Sequence, residues 1–372
     1  MSPILSVELN FANHLEEGYM GIFDSFRKDK NPGQEEVTPA GDLFAVPSPG
    51  ITPEMIPSIN VPHPTGQNIQ APTPQYVDQP MGMQPVANQG IVSPGITGGF
   101  TATPIRAFNQ KNPIYHAVGM TKIIAIINQK GGVGKSTTAI NLSAALGEMG
   151  KQVLLVDFDP QGNTTSGIGV EKGQLNHCIY DVILNDVPIE EVIIPDVCEG
   201  LDLVPATINL AGAEVELVGT MARENRLKEA LESMRGRYDY IFIDCPPSLG
   251  LLTVNALVAS DKLIIPIQTE FYALEGVTKL HDSMKLVKNR LNPNLEVFGI
   301  LLTMYDGRTT LARQVAAEVH KYFGNQVFQT IIPRTVKLSE APSYGIPITQ
   351  YDPMGKGAIS YVELAKEVIQ RG

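Results

Sequence analysis

The stretch Lys122 to Asn141, K-I-I-A-I-I-N-Q-K-G-G-V-G-K-S-T-T-A-I-N, decides how the chain is read. Ile123 to Ile127 is a short apolar run rich in β-branched residues. Gln129 to Gly134 is dense in glycine, and from Ser136 the apolar residues fall at helical spacing. The order is therefore strand, loop, helix. Such a segment makes a phosphate cradle, because glycines let successive backbone N–H groups turn inward and the helix N-terminus adds partial positive charge. Lys135 is placed to reach the outer phosphates and the Ser136 hydroxyl to ligate Mg²⁺. Gly131, Gly132, Val133, Gly134 and Thr137 complete the expected nucleotide-binding set, with ATP and Mg²⁺ as the expected cofactors.

The usual loop pattern G-x-x-x-x-G-K-[ST], aligned on Gly134, Lys135 and Ser136, would need glycine at position 129, where Gln129 stands. Lys130 follows, so the loop carries two lysines five residues apart. This K-G-G-x-G-K-[ST] form resembles the deviant Walker A loop of the ParA/MinD/nitrogenase-iron-protein class of ATPases. The resemblance implies that Lys130 reaches across a dimer interface to the nucleotide of the other subunit.

Outward from this loop the composition is uneven. Of the 28 prolines, 16 fall in residues 1–119, in short phrases such as P-S-P-G-I-T-P, and S-P-G-I-T occurs twice, at Ser48 to Thr52 and at Ser93 to Thr97. This first third is expected to be a low-complexity, largely disordered tail, with the folded domain at 120–372. One amphipathic helix is possible near 15–27, where Leu15, Tyr19, Ile22, Phe23 and Phe26 share a face, although Gly18 and Gly21 weaken it. It reads either as a fraying segment or as a peptide that docks a polar or scaffold protein.

Net charge is −11, divided nearly evenly between the tail and the rest, so neither part is a polycation and any nucleic-acid binding must come from a local patch. No long uncharged apolar run and no signal-peptide pattern is present, which points to the cytoplasm. Cys178, Cys198 and Cys245 form no C-x-x-C pair, so neither a disulfide framework nor a zinc site is indicated.

From Thr121 strands and helices alternate, which predicts a doubly wound, mostly parallel α/β sheet with functional loops at the carboxyl ends of its strands. Strands are expected at Lys122–Asn128, Gln152–Asp157, Leu201–Pro205, Tyr240–Asp244, Lys262–Pro266, Val297–Thr303 and Val327–Ile332. Helices are expected at Ser136–Met149, Glu224–Arg235, Gly250–Ala259, Ala273–Asn289, Leu311–Phe323 and Ser360–Gln370. The second strand runs into D-F-D-P-Q-G-N-T-T-S-G, with Asp157 and Asp159 on one side of an extended segment, near enough to the loop to address Mg²⁺ and a water. Tyr240 to Ser248, Y-I-F-I-D-C-P-P-S, sets Asp244 at the end of an apolar strand as the Walker B acid.

These segments resemble ParA/Soj proteins in particular, over about residues 121–370. The resemblance implies that Asp159 helps orient the attacking water, and that Met304 (in L-L-T-M-Y-D-G-R) and Pro333 (in T-I-I-P-R-T-V-K) border the adenine. It further implies nonspecific DNA binding through Arg308, with Arg334 and Lys337 as companions and Arg313 a weaker one. An ATP-dependent homodimer and a ParB-like adaptor whose basic peptide stimulates hydrolysis are the implied partners. The expected function is ATP-dependent partitioning of a chromosome or plasmid. A MinD-like membrane regulator or a protein-cluster positioning ATPase is the alternative, and the mixed-charge C-terminus, Y-V-E-L-A-K-E-V-I-Q-R-G, suits packing better than a membrane surface.

Overall fold

The computed structural model describes residues 121–270 and 275–372. The N-terminal tail, with its expected helix near 15–27, lies outside the described residues. Seven strands form one sheet: β1 (Lys122–Ile126), β2 (Val153–Asp157), β3 (Ile194–Cys198), β4 (Leu201–Val204), β5 (Tyr240–Asp244), β6 (Lys262–Gln268) and β7 (Glu296–Thr303), in the order β3-β4-β2-β5-β1-β6-β7. All neighbours are parallel except β3 and β4. The chain leaves β1 toward one edge through β2 and later fills the other edge with β6 and β7, so β1 sits where the winding reverses. In such sheets ligands bind beyond the carboxyl ends of the strands at that point.

Period-2 alternation sorts the strand residues between two cores. Ile123, Ala125 and Ile127 face one side with Ile241, Ile243, Leu263 and Ile265. Ile124 and Ile126 face the other with Leu155, Phe242 and Ile264. On the first side lie α3 (Ile179–Leu184), α4 (Leu210–Glu216), α5 (Arg226–Glu232), α6 (Leu251–Ala259), α7 (Glu275–Arg290) and α8 (Thr310–Phe323). On the second lie α1 (Lys135–Glu148) and α11 (Lys356–Arg371), with the one-turn helices α9 (Lys337–Glu340) and α10 (Ile348–Tyr351) beside them. The short α2 (Asn163–Gly167) follows β2.

α11 buries Tyr361, Leu364, Ala365 and Val368, an i, i+3, i+4, i+7 stripe, and its Tyr361 hydroxyl meets Thr138 Oγ1 of α1 at 3.2 Å. The C-terminal helix thus packs on the domain, as its pattern predicts. Among the described residues no helix is long and apolar enough to cross a membrane.

One expected strand is absent and one unexpected strand is present. Val327–Ile332 is not a strand: it runs beside β7 and touches the ladder at separate points, with bridges Ile300 to Val327 and Tyr305 to Pro333. Its amides at Phe328 and Ile332 donate to the carbonyls of Ile300 and Leu302, both at 2.9 Å, which gives extended backbone without continuous pairing. The sheet instead gains its seventh strand at the opposite edge, where β3 joins β4 with an irregular register. Ile-Pro-Asp-Val-Cys carries a proline and an acid inside five residues, a combination that edge strands tolerate.

A candidate phosphate and metal site at the end of the central strands

The loop after β1 is held from beneath by side chains. Asn128, buried at its entrance, donates from Nδ2 to the Pro266 carbonyl at 2.7 Å and accepts the Lys130 N–H at 2.9 Å. Thr303, at the end of β7, donates to the Val133 carbonyl at 2.8 Å. Above these anchors Gly131 and Gly132 are exposed, and a Cβ built on either would meet nothing within 4 Å, so the outer face of the loop is open. Gly134 has φ 89°, a left-handed conformation suited to glycine, and it starts α1 without a capping side chain. The first amides of α1 therefore remain available to an anion. Ser136 and Thr137, half-buried, lie in that first turn.

Lys135 is buried, and its Nζ lies 3.4 Å from the Lys130 carbonyl, folded back along the loop. Burial pulls its ammonium below the ordinary lysine value, against the opposing pull of Asp244 and Asp159. Lys130 points elsewhere: its half-exposed Nζ lies 3.5 Å from Glu270 Oε2 in the same subunit.

Asp157 and Asp244 are register partners at the ends of β2 and β5, and both are fully buried. Asp157 is engaged on both oxygens: Oδ2 accepts from the Thr165 N–H at 2.7 Å and the Thr165 hydroxyl at 2.6 Å, and Oδ1 from the Asp159 N–H at 3.3 Å. Burial first and the Asp244 charge second push its pKa up to about 7. Asp244 Oδ2 accepts from the Thr164 hydroxyl at 2.7 Å, whereas its Oδ1 is buried with no hydrogen-bond partner. Burial raises its pKa to about 6, opposed by the hydroxyls of Thr164 and Ser136 and by Lys135. Asp159, 6% exposed, uses Oδ1 to accept the Gln161 N–H at 2.9 Å. Cys245 is buried, and burial pushes its thiol well above the ordinary range, so it is an inert neighbour of this cluster.

A divalent cation fits this set. A free acceptor on a buried carboxylate, a nearby serine hydroxyl, an ammonium and an open loop of backbone donors are what a metal–polyphosphate ligand requires, and hard oxygen donors suit Mg²⁺.

A second cluster lies past β7. Met304 follows that strand with φ 51°, an unusual value for a side-chain-bearing residue, and Pro333 is brought to Tyr305 by a bridge. The Arg334 N–H donates to the Tyr305 carbonyl at 3.0 Å, so Arg334 reaches the Asp306–Arg308 turn. Arg308, its side chain 90% exposed, is paired with Asp306 at 2.7 Å, and that contact holds the Asp306 carboxyl down to about 2. Lys337 is turned to Glu340 at 2.9 Å and lies over the Tyr351 ring, 5.3 Å from its centroid. Arg313 is exposed on α8 and donates back to the Gly307 carbonyl at 3.3 Å.

The chain is 58% identical over 253 residues to the sporulation initiation inhibitor protein Soj of Bacillus subtilis (strain 168), covering 68% of this chain and all of that protein. The chain belongs to the Soj/ParA family of partitioning ATPases. The chromosome partitioning protein ParA of Myxococcus xanthus is 54% identical over 250 residues, 67% of this chain and 88% of that one. An AAA domain model matches residues 121–297. Among solved structures, cobyrinic acid a,c-diamide synthase of Mycobacterium smegmatis with bound ADP and magnesium is 40% identical with a TM-score of 0.60, covering 67% of this chain and 94% of that one. The septum site-determining protein MinD of Pyrococcus horikoshii, complexed with Mg-ADP, is 31% identical with a TM-score of 0.54, covering 67% and 96%.

Several residues that shape the site in this Soj/ParA chain escaped the sequence reading. Thr164 and Thr165 lie in the polar run after β2, where nothing in the spacing singles them out, yet they divide the two buried acids between them. In the sequence Asn128 and Thr303 look like ordinary strand ends, and Glu270 like an ordinary surface acid. The available signal was position, since each is a small polar or acidic residue at the carboxyl end of a strand or just beyond it, where an apolar neighbour would be expected.

Proposed function

We propose that this chain is a cytoplasmic, nucleoid-associated partitioning ATPase that binds ATP with Mg²⁺, dimerises on ATP, holds DNA without regard to sequence, and releases it after hydrolysis stimulated by a ParB-like adaptor. The observation that carries this reading is Asp244, a buried carboxylate with one unpartnered oxygen beside Lys135 and Asp159 at the foot of an open glycine loop. Leaving such an acceptor unmet costs about 1–3 kcal/mol, and a bound cation would remove that cost. The names of the relatives, chromosome partitioning proteins, and the ADP and magnesium in the M. smegmatis structure support it.

In this reading the loop backbone at Gly131, Gly132, Val133 and Gly134, with Thr137, holds the phosphates, and Lys135 balances their charge. Ser136 and Asp244 hold the cation, and Asp157 supports them from the adjacent strand. When bound, Mg²⁺ neutralises charge on the transferring phosphoryl group. Asp159 orients the attacking water. Met304 and Pro333 border the base. Lys130 leaves Glu270 and serves the nucleotide of a second copy in a part comparable to that of an arginine finger, a group worth about 10³- to 10⁵-fold in such reactions, so an isolated subunit turns over slowly.

For DNA, Arg308 and Lys337 are partly neutralised by Asp306 and Glu340 within one subunit. One subunit with Arg334 as its third cation is a weak, salt-sensitive patch, and dimerisation doubles it along one duplex. The buried apolar face of α11 disfavours the MinD-like membrane alternative.

The test is magnesium-dependent phosphate release by the full chain, with and without nonspecific duplex DNA, beside light scattering of the ATP state. Lys130→Ala should keep nucleotide binding and lose the dimer, whereas Arg308→Glu should keep the dimer and lose DNA retention. No magnesium-dependent release from the wild type with DNA, or an undiminished Lys130→Ala dimer, would overturn the reading.

A further inference from the structure

Lys130 and Glu270 meet across two segments that are already tied together. The loop carrying Lys130 is joined to β6 by the bond from Asn128 Nδ2 to the Pro266 carbonyl. Glu270 lies just past the end of β6, where the Thr269 N–H donates to the Thr303 carbonyl at 3.4 Å and the Glu270 N–H to the Gln268 carbonyl at 2.8 Å. Thr303 in turn bonds the Val133 carbonyl of the loop. Both backbones are thus fixed at the rim of the phosphate cradle before their side chains meet.

The Glu270 carboxylate is divided between two donors. Gln268 Nε2 donates to Oε1, and Lys130 Nζ lies 3.5 Å from Oε2. The backbone of Lys130 is held as well, its N–H by Asn128 Oδ1 and its carbonyl by Lys135 Nζ. What can swing is the flexible stem of the side chain, and Glu270 holds the end of it inside its own subunit. An ammonium committed in this way has to give up that contact before it serves another subunit, so apparent association is weakened by the fraction of chains in which it is free.

We propose that Glu270 is a positioning residue that parks Lys130 in its own subunit and so acts as a brake on the ATP-dependent dimer. The dimer part rests on the proposed function; the pairing does not. The two side chains are 33% and 48% exposed, so the brake is mild, about 1.4- to 5-fold for one pair. Two copies that exchange their lysines must each release one, which squares the factor to about 2- to 25-fold in the dimer dissociation constant.

Glu270→Gln tests this, because it keeps the shape and an acceptor for Gln268 while removing the charge. In the full chain with ATP and Mg²⁺ at low salt, light scattering against protein concentration should show the variant dimerising about 2- to 25-fold more tightly. Nucleotide affinity of the monomer should be unchanged. The gap should close at high salt, since screening weakens an exposed pair and would not alter a merely structural effect. In a Lys130→Ala background Glu270→Gln should restore no dimer. The pair itself is read without nucleotide: acetylation of Lys130 by acetic anhydride, followed by peptide mass spectrometry, should be a few-fold faster in Glu270→Gln than in the wild type. A weaker Glu270→Gln dimer would mean that the carboxylate serves the closed state, and would overturn the proposal. An unchanged dimer at low salt, or equal acetylation rates, would overturn it too. If the wild type formed no ATP dimer at any concentration, the brake would fall with the proposed function, while the acetylation rates would still decide whether Glu270 parks Lys130.

Discussion

The ends of β2 and β5 place the same side chain at the same depth with opposite surroundings. Asp157 is surrounded: Thr165 gives it both an amide and a hydroxyl, and Asp159 gives an amide. Asp244 keeps one oxygen unmet. Since burial raises both carboxyls, the cost of charging them is shared, but only Asp244 retains an acceptor with which to recover that cost from a ligand. An acid that is fully bonded holds structure, and an acid left short of a donor is prepared for a cation.

The largest expected effect sets these roles apart. Asp244→Asn should lower magnesium-dependent turnover by about 10- to 100-fold, the usual loss for a group that orients a metal's shell. Asp157→Asn keeps an oxygen for Thr165 and should lose much less. Steady-state phosphate release from the two variants checks this, and equal losses would erase the distinction between the strand ends.

Next in size is a pH effect in the absence of magnesium. The ordinary aspartate value is 3.8, and the folded values are raised to about 7 at Asp157 and about 6 at Asp244. Between those limits the native state holds protons that the unfolded chain has released, so stability falls as pH rises, with the benefit complete near about pH 4 and gone by about pH 7. Asp157→Asn removes one of the two acids and should flatten the fall, leaving the variant the more stable protein at about pH 8. Magnesium with ATP should flatten the wild-type profile as well. Denaturation midpoints in a chelating buffer across this range decide it, and a wild-type profile without slope would mean that the acids are not stressed by burial.

Legibility followed the same division. The strand-loop-helix order, the two lysines and the acids at Asp157, Asp159 and Asp244 were readable because each is a residue type held at a fixed offset from a strongly apolar strand. The threonines were not, since a hydroxyl in a polar run has no period and gains meaning only when β5 is laid beside β2. The same limit explains Val327–Ile332 and β3. Apolar content announced a strand in the first, where the backbone bonds only at intervals, and a proline with an acid concealed one in the second. Arg308, Arg334 and Lys337 were visible as cations, but their pairing with Asp306 and Glu340 depends on turns that sequence spacing does not fix.

The smallest effects come from the two threonines, which distinguish the acids most finely. Thr165 Oγ1 donates to Asp157 and accepts the Ala206 N–H at 2.9 Å, so it joins the end of β2 to the segment after β4. Thr165→Val keeps the shape, leaves that amide without an acceptor and takes one donor from Asp157. The expected loss is about 1–3 kcal/mol of stability, with turnover retained, and Thr165→Ser should restore most of it. Thr164→Val removes the hydroxyl that bonds Asp244 Oδ2 from the segment after β2, one of the contacts holding that carboxyl down. Its pKa should rise further, so turnover at neutral pH should drop a few-fold, on the order of one hydrogen bond to a charged group, and recover as pH is raised. Thermal denaturation beside a pH profile of phosphate release reads both variants. Were Thr164→Val to change only stability, or Thr165→Val only turnover, the two strand ends would have exchanged roles.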